Sequence, residues 1–358
     1  MKIAYITITH KPISKKTTGG IETFSVYLLN ALKKIDNNID ITLFAAEETD
    51  IKLFPNIKHH SIFSIKKDFA RETVVNDFKK FALNYLVFQM AGLNKVIGIN
   101  DFDIIHFSCA QWYLPFLMTP YSQNKIITTV HVNDLRKEPL NYLFNNFSGP
   151  LIANISNSSS KDFINAKRRV TVYNGIDISQ FTYSNTTNDY FCWLGRIMPT
   201  KGLKEALCAA HLAKIRLSAS GPIDDQKYYK RYVEPQLDDK RILLGPLSFD
   251  QKQKYLGKAK AVLMPVQWEE PFGLVAIEAM ACGTPVIAFA RGGLKETIID
   301  GVTGYLVNTV EEMAEKIRII NRIDRRKCRE HVEKRFSSIV MAKNYLNYYR
   351  EIIGQNKT

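Results

Sequence analysis

No run of about eighteen uninterrupted apolar residues, the length of a membrane-spanning helix, occurs in this sequence of 358 residues. The start Met1-Lys2-Ile3-Ala4-Tyr5-Ile6-Thr7 has no basic segment leading into a long apolar one, so no export signal is expected. Cysteine is scarce: five residues, Cys109, Cys192, Cys208, Cys282 and Cys328, far apart and without a Cys-x-x-Cys pair. That spacing signals neither a disulfide framework nor a zinc site, and a reducing cytosol is the expected compartment. A Gly-x-Gly-x-x-Gly run after the first strand is missing, which disfavours a dinucleotide oxidoreductase. Internal repeats and low-complexity tracts are also missing.

What is present is ordinary for a globular protein: 46% hydrophobic and 23% charged residues exclude disorder as the main state. The length suits two or three domains. Lysine and arginine number 49 against 35 acidic residues, a net charge of +14. Such an excess concentrates anionic partners: nucleic acid, anionic lipid or phosphorylated substrates. A dedicated nucleic-acid binder would add an aromatic-and-basic recognition element or a helix-turn-helix pattern, and neither is found, so no nucleic-acid partner is expected.

Short β-type apolar runs alternate with helical patterns from end to end, the signature of parallel sheets with crossover helices. In the first half Ile3 to Thr7, Ile39 to Phe44, Ile104 to Phe107, Ile126 to Val130 and Leu151 to Ile155 read as strands. Gly19-Gly20 opens an amphipathic helix through Leu32, with apolar positions at i, i+3, i+4 and i+7. The polar stretch Ser184 to Asp189 reads as a linker. Beyond it Tyr190 to Leu194, Ile215 to Ser218, Ile242 to Leu244, Ala261 to Met264 and Val286 to Phe289 read as strands. The predicted division is 1–183, 184–335 and a final helix within 336–358 that carries Tyr345, Tyr348 and Tyr349. A helical pattern over Phe69 to Ile99, with Lys79 and Lys80 beside Phe78 and Phe81, suits either a helix with one core face or a peripheral contact with an anionic membrane.

The densest signal is Trp268-Glu269-Glu270-Pro271-Phe272-Gly273-Leu274, continuing through Glu278 to Cys282-Gly283-Thr284-Pro285. It reads as a strand end, a loop, a helix from Leu274 to Cys282 and a turn into a buried strand. Free backbone N–H groups at the helix start, on Phe272, Gly273 and Leu274, suit a phosphate or a sugar hydroxyl. Glu278 on the same helix can accept from ribose hydroxyls.

Glu270 and Glu278 with seven residues between them resemble the Glu-x7-Glu motif of retaining glycosyltransferases with the GT-B fold, family 4. The resemblance runs nearly the whole chain: Gly19-Gly20, Val172-Tyr173-Asn174-Gly175-Ile176-Asp177, Leu194-Gly195-Arg196, Lys201-Gly202, Arg291-Gly292-Gly293 with Glu296, and Gly301-x-x-Gly304. It implies an α/β chain with two Rossmann-like domains of parallel sheets facing across a cleft, the first binding the acceptor and the second the nucleotide sugar. The final helix would cross back to the first domain.

The resemblance also implies the roles. Arg196 and Lys201 would grip the donor diphosphate; fixed cations stabilise the charge that builds on a departing nucleoside diphosphate without a metal. Gly19 and Gly20 would let backbone approach the phosphates, His131 would lie near the donor sugar, Glu278 would bind ribose and Glu270 the sugar or phosphate. Gly221 and Gly245 would border the nucleobase, and Asn174 and Asp177 would shape a turn. The expected activity is a hexosyl transfer from a nucleotide sugar, a UDP-sugar foremost, to a hydroxyl acceptor, with retention and with neither metal nor other cofactor. Asp101-Phe102-Asp103 spells the Asp-x-Asp of metal-dependent glycosyltransferases, but it sits at a strand entry and is assigned no metal. Two other readings stand beside this one: a nucleotide-sugar epimerase of the same fold class, and a basic binding module for nucleic acid or membrane without turnover.

Overall fold

The computed structural model describes residues 1–7, 12–14, 19–68, 90, 94, 101–109, 115, 125–131, 142, 144–146, 149–163, 166 and 168–355. The chain divides into two units, Met1–Gly175 with Ser338–Thr358, and Ile176–Ser337. The helical pattern of Phe69 to Ile99 lies almost wholly outside the described residues.

The first unit is built on a seven-stranded sheet in the order β3-β2-β1-β4-β5-β6-β7. Its strands are β1 (Lys2–Ile6), β2 (Asp40–Ala45), β3 (Lys58–Ser61), β4 (Ile104–Phe107), β5 (Ile126–Val130), β6 (Leu151–Asn154) and β7 (Arg169–Thr171). All of its pairings are parallel. The central strands β4 and β5 are buried along their whole length, as expected when helices cover both faces of a parallel sheet. Helix α1 (Gly20–Ile35) buries Phe24, Tyr27, Leu28, Ala31 and Leu32, the helical stripe expected from sequence. It packs on the chain's last helix, Ser338–Gln355.

The second unit has a six-stranded parallel sheet, β10-β9-β8-β11-β12-β13. The strands are β8 (Phe191–Leu194), β9 (Leu217–Ser220), β10 (Arg241–Leu243), β11 (Val262–Met264), β12 (Val286–Phe289) and β13 (Gly304–Val307). Helix α2 (Leu203–Leu212) follows β8, α3 (Phe249–Lys258) follows β10 and α4 (Leu274–Ala281) follows β11. Helix α4 is buried from Ala276 to its end, so it is apolar nearly all round rather than striped.

Both sheets start in the middle, run outward to one edge, then return to the centre and run to the other. In each, the strand order reverses beside the first strand: between β1 and β4, and between β8 and β11. Ligands of open α/β sheets bind outside the carboxyl ends of the strands at such a reversal, because the two neighbouring connections leave in opposite directions and open a crevice.

Three strands were missed by sequence reading: β3, β7 and β13, each at a sheet edge. β3 (Lys58-His59-His60-Ser61) and β7 (Arg169-Val170-Thr171) have no fully buried residue and so carry little apolar signal, whereas β13 is mostly buried. The division also falls earlier than the expected 183/184. Ser184 to Asp189, read as a linker, is tied into the second unit: Ser184 N donates to Cys282 O at 3.0 Å and Asn188 N to Lys258 O at 2.7 Å. Arg325 Nε donates to Ser184 O at 2.8 Å. A polar stretch without apolar period can still be fixed when its backbone supplies the bonds.

Candidate functional site

Arg196 and Lys201 lie on the loop that leaves β8, and Glu270 on the loop that leaves β11. Because β8 and β11 flank the reversal, the fold brings these residues to one crevice at the carboxyl ends of the second sheet. The two loops are joined directly, Gln267 N donating to Thr200 O at 2.8 Å.

Lys201 Nζ stands 2.7 Å from Glu270 Oε2, with side-chain exposures of 21% and 13%. The same oxygen accepts from Trp268 Nε1 at 2.9 Å. The ammonium also sits 4.6 Å from the centre of the Trp268 ring, a cation–π contact. Glu270 is therefore fixed by an ammonium and an indole, and Lys201 by a carboxylate and a ring face. The backbone around them is fixed as well. Gly293 N donates to Glu270 O, and Gly292 N to Glu269 Oε2, both at 2.7 Å, so the turn after β12 buttresses the carboxylate loop.

Arg196 is the exposed member. Its Nη1 pairs with Asp224 Oδ2 at 3.0 Å, and the side chain is 60% exposed. A pair in that position is held by about 0–1 kcal/mol, so an incoming anion can draw the guanidinium away at small cost.

Helix α4 begins at Gly273, whose φ of 92° is a left-handed conformation that a side chain would strain. A Cβ there would also stand 2.5 Å from Leu294 Cδ2. Phe272, Gly273 and Leu274 thus form the helix entrance in the same crevice, and the first N–H groups of a helix have no acceptor within it. Glu278 lies on this helix, buried, with Oε1 2.7 Å from Lys252 Nζ of α3.

Gly221 follows β9 and Gly245 follows β10, and Gly221 N donates to Gly245 O at 3.1 Å. Gly221, with φ 150°, leaves no room for a side chain: a Cβ would come 1.7 Å from Gly195 O. These two positions continue the row along the carboxyl ends of the sheet from β8 to β10.

The remaining predicted residues, Asp177 apart, belong to the first unit. His131 ends β5, buried, with Nε2 2.9 Å from Ser108 Oγ and its ring edge-on to Phe24 at 4.7 Å. Burial pushes its pKa down to about 3, so the imidazole is neutral at pH 7. His106, also buried and pushed down to about 3 by burial and by nearby His131, bonds Tyr349 OH at 2.5 Å and Thr129 Oγ1 at 2.7 Å. Gly20 opens α1. At Gly19 the space of a Cβ holds the Glu22 carboxylate, whose Oε2 would be 2.0 Å away, so that glycine makes room for a buried side chain of its own helix. Asp177 shapes its turn as expected, accepting from Ser179 N at 3.2 Å and Ser179 Oγ at 2.7 Å.

Asp101 and Asp103 sit before β4, at the amino end of the first sheet. Asp101 Oδ2 is 2.6 Å from Lys2 Nζ, and Asp103 Oδ2 accepts from Lys2 N at 2.8 Å. Among the described residues there is no group of three or more His, Cys, Asp or Glu that could hold a metal ion. Nor is any helix among them long and apolar enough to cross a membrane. Sequence reading missed Lys252, Ser108 and Glu22. Glu22 lay inside the Gly19-Gly20 segment, whereas Lys252 and Ser108 carry no local motif.

Residues 176–335 match the family model described as Glycosyl transferases group 1. The chain is 28% identical over 340 residues to an uncharacterized glycosyltransferase of Methanocaldococcus jannaschii, across 89% of this chain and 90% of that one. It is 23% identical over 367 residues to D-inositol 3-phosphate glycosyltransferase of Mycolicibacterium vanbaalenii, across 86% and 79%. Sucrose-phosphate synthase of Thermosynechococcus elongatus superposes with a TM-score of 0.78 at 21% identity, over 99% of both chains. Anabaena HepE, crystallised with UDP, superposes with a TM-score of 0.74 at 19% identity, over 98% of this chain and 100% of that one. The likeness to these structures establishes the two-domain Rossmann-like GT-B fold.

Proposed function

We propose that this chain, a glycosyltransferase with the GT-B fold, moves a hexose from a nucleotide sugar to a hydroxyl acceptor with retention of anomeric configuration and without a metal. The single observation behind the reading is the pair Arg196 and Lys201 on the β8 exit, beside the α4 entrance, at the strand-order reversal of the second sheet. A diphosphate carries the charge and the oxygens that two cations and a helix entrance accommodate. UDP is the favoured nucleotide: HepE was crystallised with UDP and with UDP-glucose.

In this reading the bond from the sugar's anomeric carbon to the diphosphate oxygen breaks while the acceptor oxygen bonds to the same face of that carbon. The acceptor proton passes to the departing phosphate, so no protein base is needed. Arg196 and Lys201 take up the charge that develops on the diphosphate, the term that preorganised cations stabilise most. Lys201 is already positioned by Glu270 and Trp268, so little reorganisation accompanies the step. Glu270 contacts the sugar or phosphate, Glu278 accepts from the ribose, and Gly221 and Gly245 border the base. His131, being neutral, orients the transferred sugar by hydrogen bonding rather than by charge. The five free cysteines fit a cytoplasmic enzyme.

The test is a product assay with UDP-glucose, UDP-GlcNAc, UDP-galactose and GDP-mannose against host extract, read by mass spectrometry, with the product's anomeric configuration read by NMR. Donor-dependent glycosylation with retention supports the proposal. Turnover of donor alone to an isomeric nucleotide sugar contradicts it and favours an epimerase.

A further inference from the structure

At the amino-terminal edge of the second sheet, opposite the crevice, four neighbouring strands place charged residues side by side. Lys240 precedes β10, Arg216 precedes β9, Asp189 comes just before β8 and Lys260 just before β11. Main-chain bonds lock this row: Leu217 N to Lys240 O, Phe191 N to Arg216 O and Lys260 N to Tyr190 O, each at 2.9 Å. Lys214 joins from the end of α2. Together they line a cavity of about 300 Å³ that also takes in Phe191 and Ile215.

The charges do not balance. Asp189 is taken by Lys260, 2.5 Å away. Lys214, Arg216 and Lys240 make no ion pair among the described residues, whereas every cation named in the crevice has a carboxylate within 3.0 Å. Like charges on neighbouring strands repel. Lys214 adds a second sign. It sits just past the α2 terminus at φ 56°, a left-handed position where glycine is the usual residue. Any side chain there costs roughly 1 kcal/mol of backbone strain relative to glycine.

We infer that this cavity is a second anion site, for a phosphate group carried on a small molecule or a lipid headgroup. Lys214, Arg216 and Lys240 line one depression with Asp189, a single carboxylate already paired with Lys260 and also acted on by Arg216; a phosphate brings close to two charges and three acceptor oxygens. Arg216 offers a planar fork for two of those oxygens, and Lys214 and Lys240 supply point charges for the third. A volume near the lower end of small-molecule sites suits a phosphate with a short attached group. The site is separate from the donor crevice and does not depend on the reaction proposed there.

The experiment uses the full chain and the triple variant Lys214→Gly, Arg216→Gln, Lys240→Gln, in which the glycine also relieves the left-handed backbone. The probes are inorganic pyrophosphate, by calorimetry, and phosphatidylglycerol vesicles against phosphatidylcholine vesicles, by co-sedimentation. Lys201→Ala serves as the control that removes a donor-site cation. A probe should bind the native chain and Lys201→Ala, and bind the triple variant at least about a hundredfold more weakly, since each charge-assisted contact is worth roughly tenfold. Glycosyl transfer by the triple variant should stay within about twofold of native. Loss of pyrophosphate binding alone identifies a soluble phosphate; loss of vesicle binding identifies a headgroup. If neither probe binds the native chain, or if both bind the triple variant as tightly, the cavity is a solvated surface and the inference fails.

Discussion

The carboxyl ends of the two sheets handle buried polarity in opposite ways. In the first unit His131 and His106 are neutral and answered by hydroxyls, Ser108, Thr129 and Tyr349. In the second unit the polar groups are ions in pairs, Lys201 with Glu270 and Lys252 with Glu278. Neutral hydrogen bonds fix shape and carry no field, whereas ion pairs hold charge in place that an anionic ligand can use. The difference sets neutral, hydroxyl-answered polarity in the first unit against paired charge in the second.

The contrast can be broken at four places. The largest effect is expected at Lys252→Met, which leaves Glu278 buried and unpaired; removing one partner of such a pair costs about 3 kcal/mol or more. Urea unfolding should show the loss, and Glu278→Gln combined with Lys252→Met should recover most of it. Next, Arg196→Ala and Lys201→Ala should each lower turnover by roughly 10²-fold at saturating donor, the scale of one lost charge-stabilising group. The two should differ in stability. Arg196 is exposed and its loss should leave the melting temperature unchanged, while Lys201→Ala should lower it because Glu270 stays behind, largely buried.

The third place is pH. The folded pKa values of His106 and His131 are pushed down to about 3, below the unfolded value near 6.5, so the unfolded chain binds more protons in between. Stability is therefore fully present above about pH 6.5 and falls as the pH drops toward 3, by up to about 1.4 kcal/mol per pH unit for each histidine. His106→Gln should lower that slope, measured by denaturant unfolding between pH 7 and 5. The smallest effect is expected from a chelator: EDTA should leave the transfer rate unchanged, and strong inhibition would reopen a metal-dependent route.

Much of the layout could be read from sequence because central parallel strands are continuous apolar runs; Ile104 to Phe107, Ile126 to Val130 and Val286 to Phe289 coincide with β4, β5 and β12. The edge strand β3 could not be read, because Lys58-His59-His60-Ser61 has no apolar run to mark it, whereas the edge strand β10 carries one and was read. In the second unit the predicted residues come together because they ride on consecutive strand exits. Lys252 was invisible because its partner Glu278 is 26 residues away on another helix. Ser108 was invisible in the same way, meeting His131 only through the pairing of β4 with β5. Gly19 also admits the Glu22 side chain, a short-range steric fact that a motif does not encode.

The most direct measurement is a crystal structure of the chain with an intact nucleotide sugar. The account predicts the diphosphate within hydrogen-bonding distance of both Arg196 and Lys201, with the Arg196–Asp224 pair opened. A diphosphate lodged elsewhere, with the Arg196–Asp224 and Lys201–Glu270 pairs untouched, would contradict it.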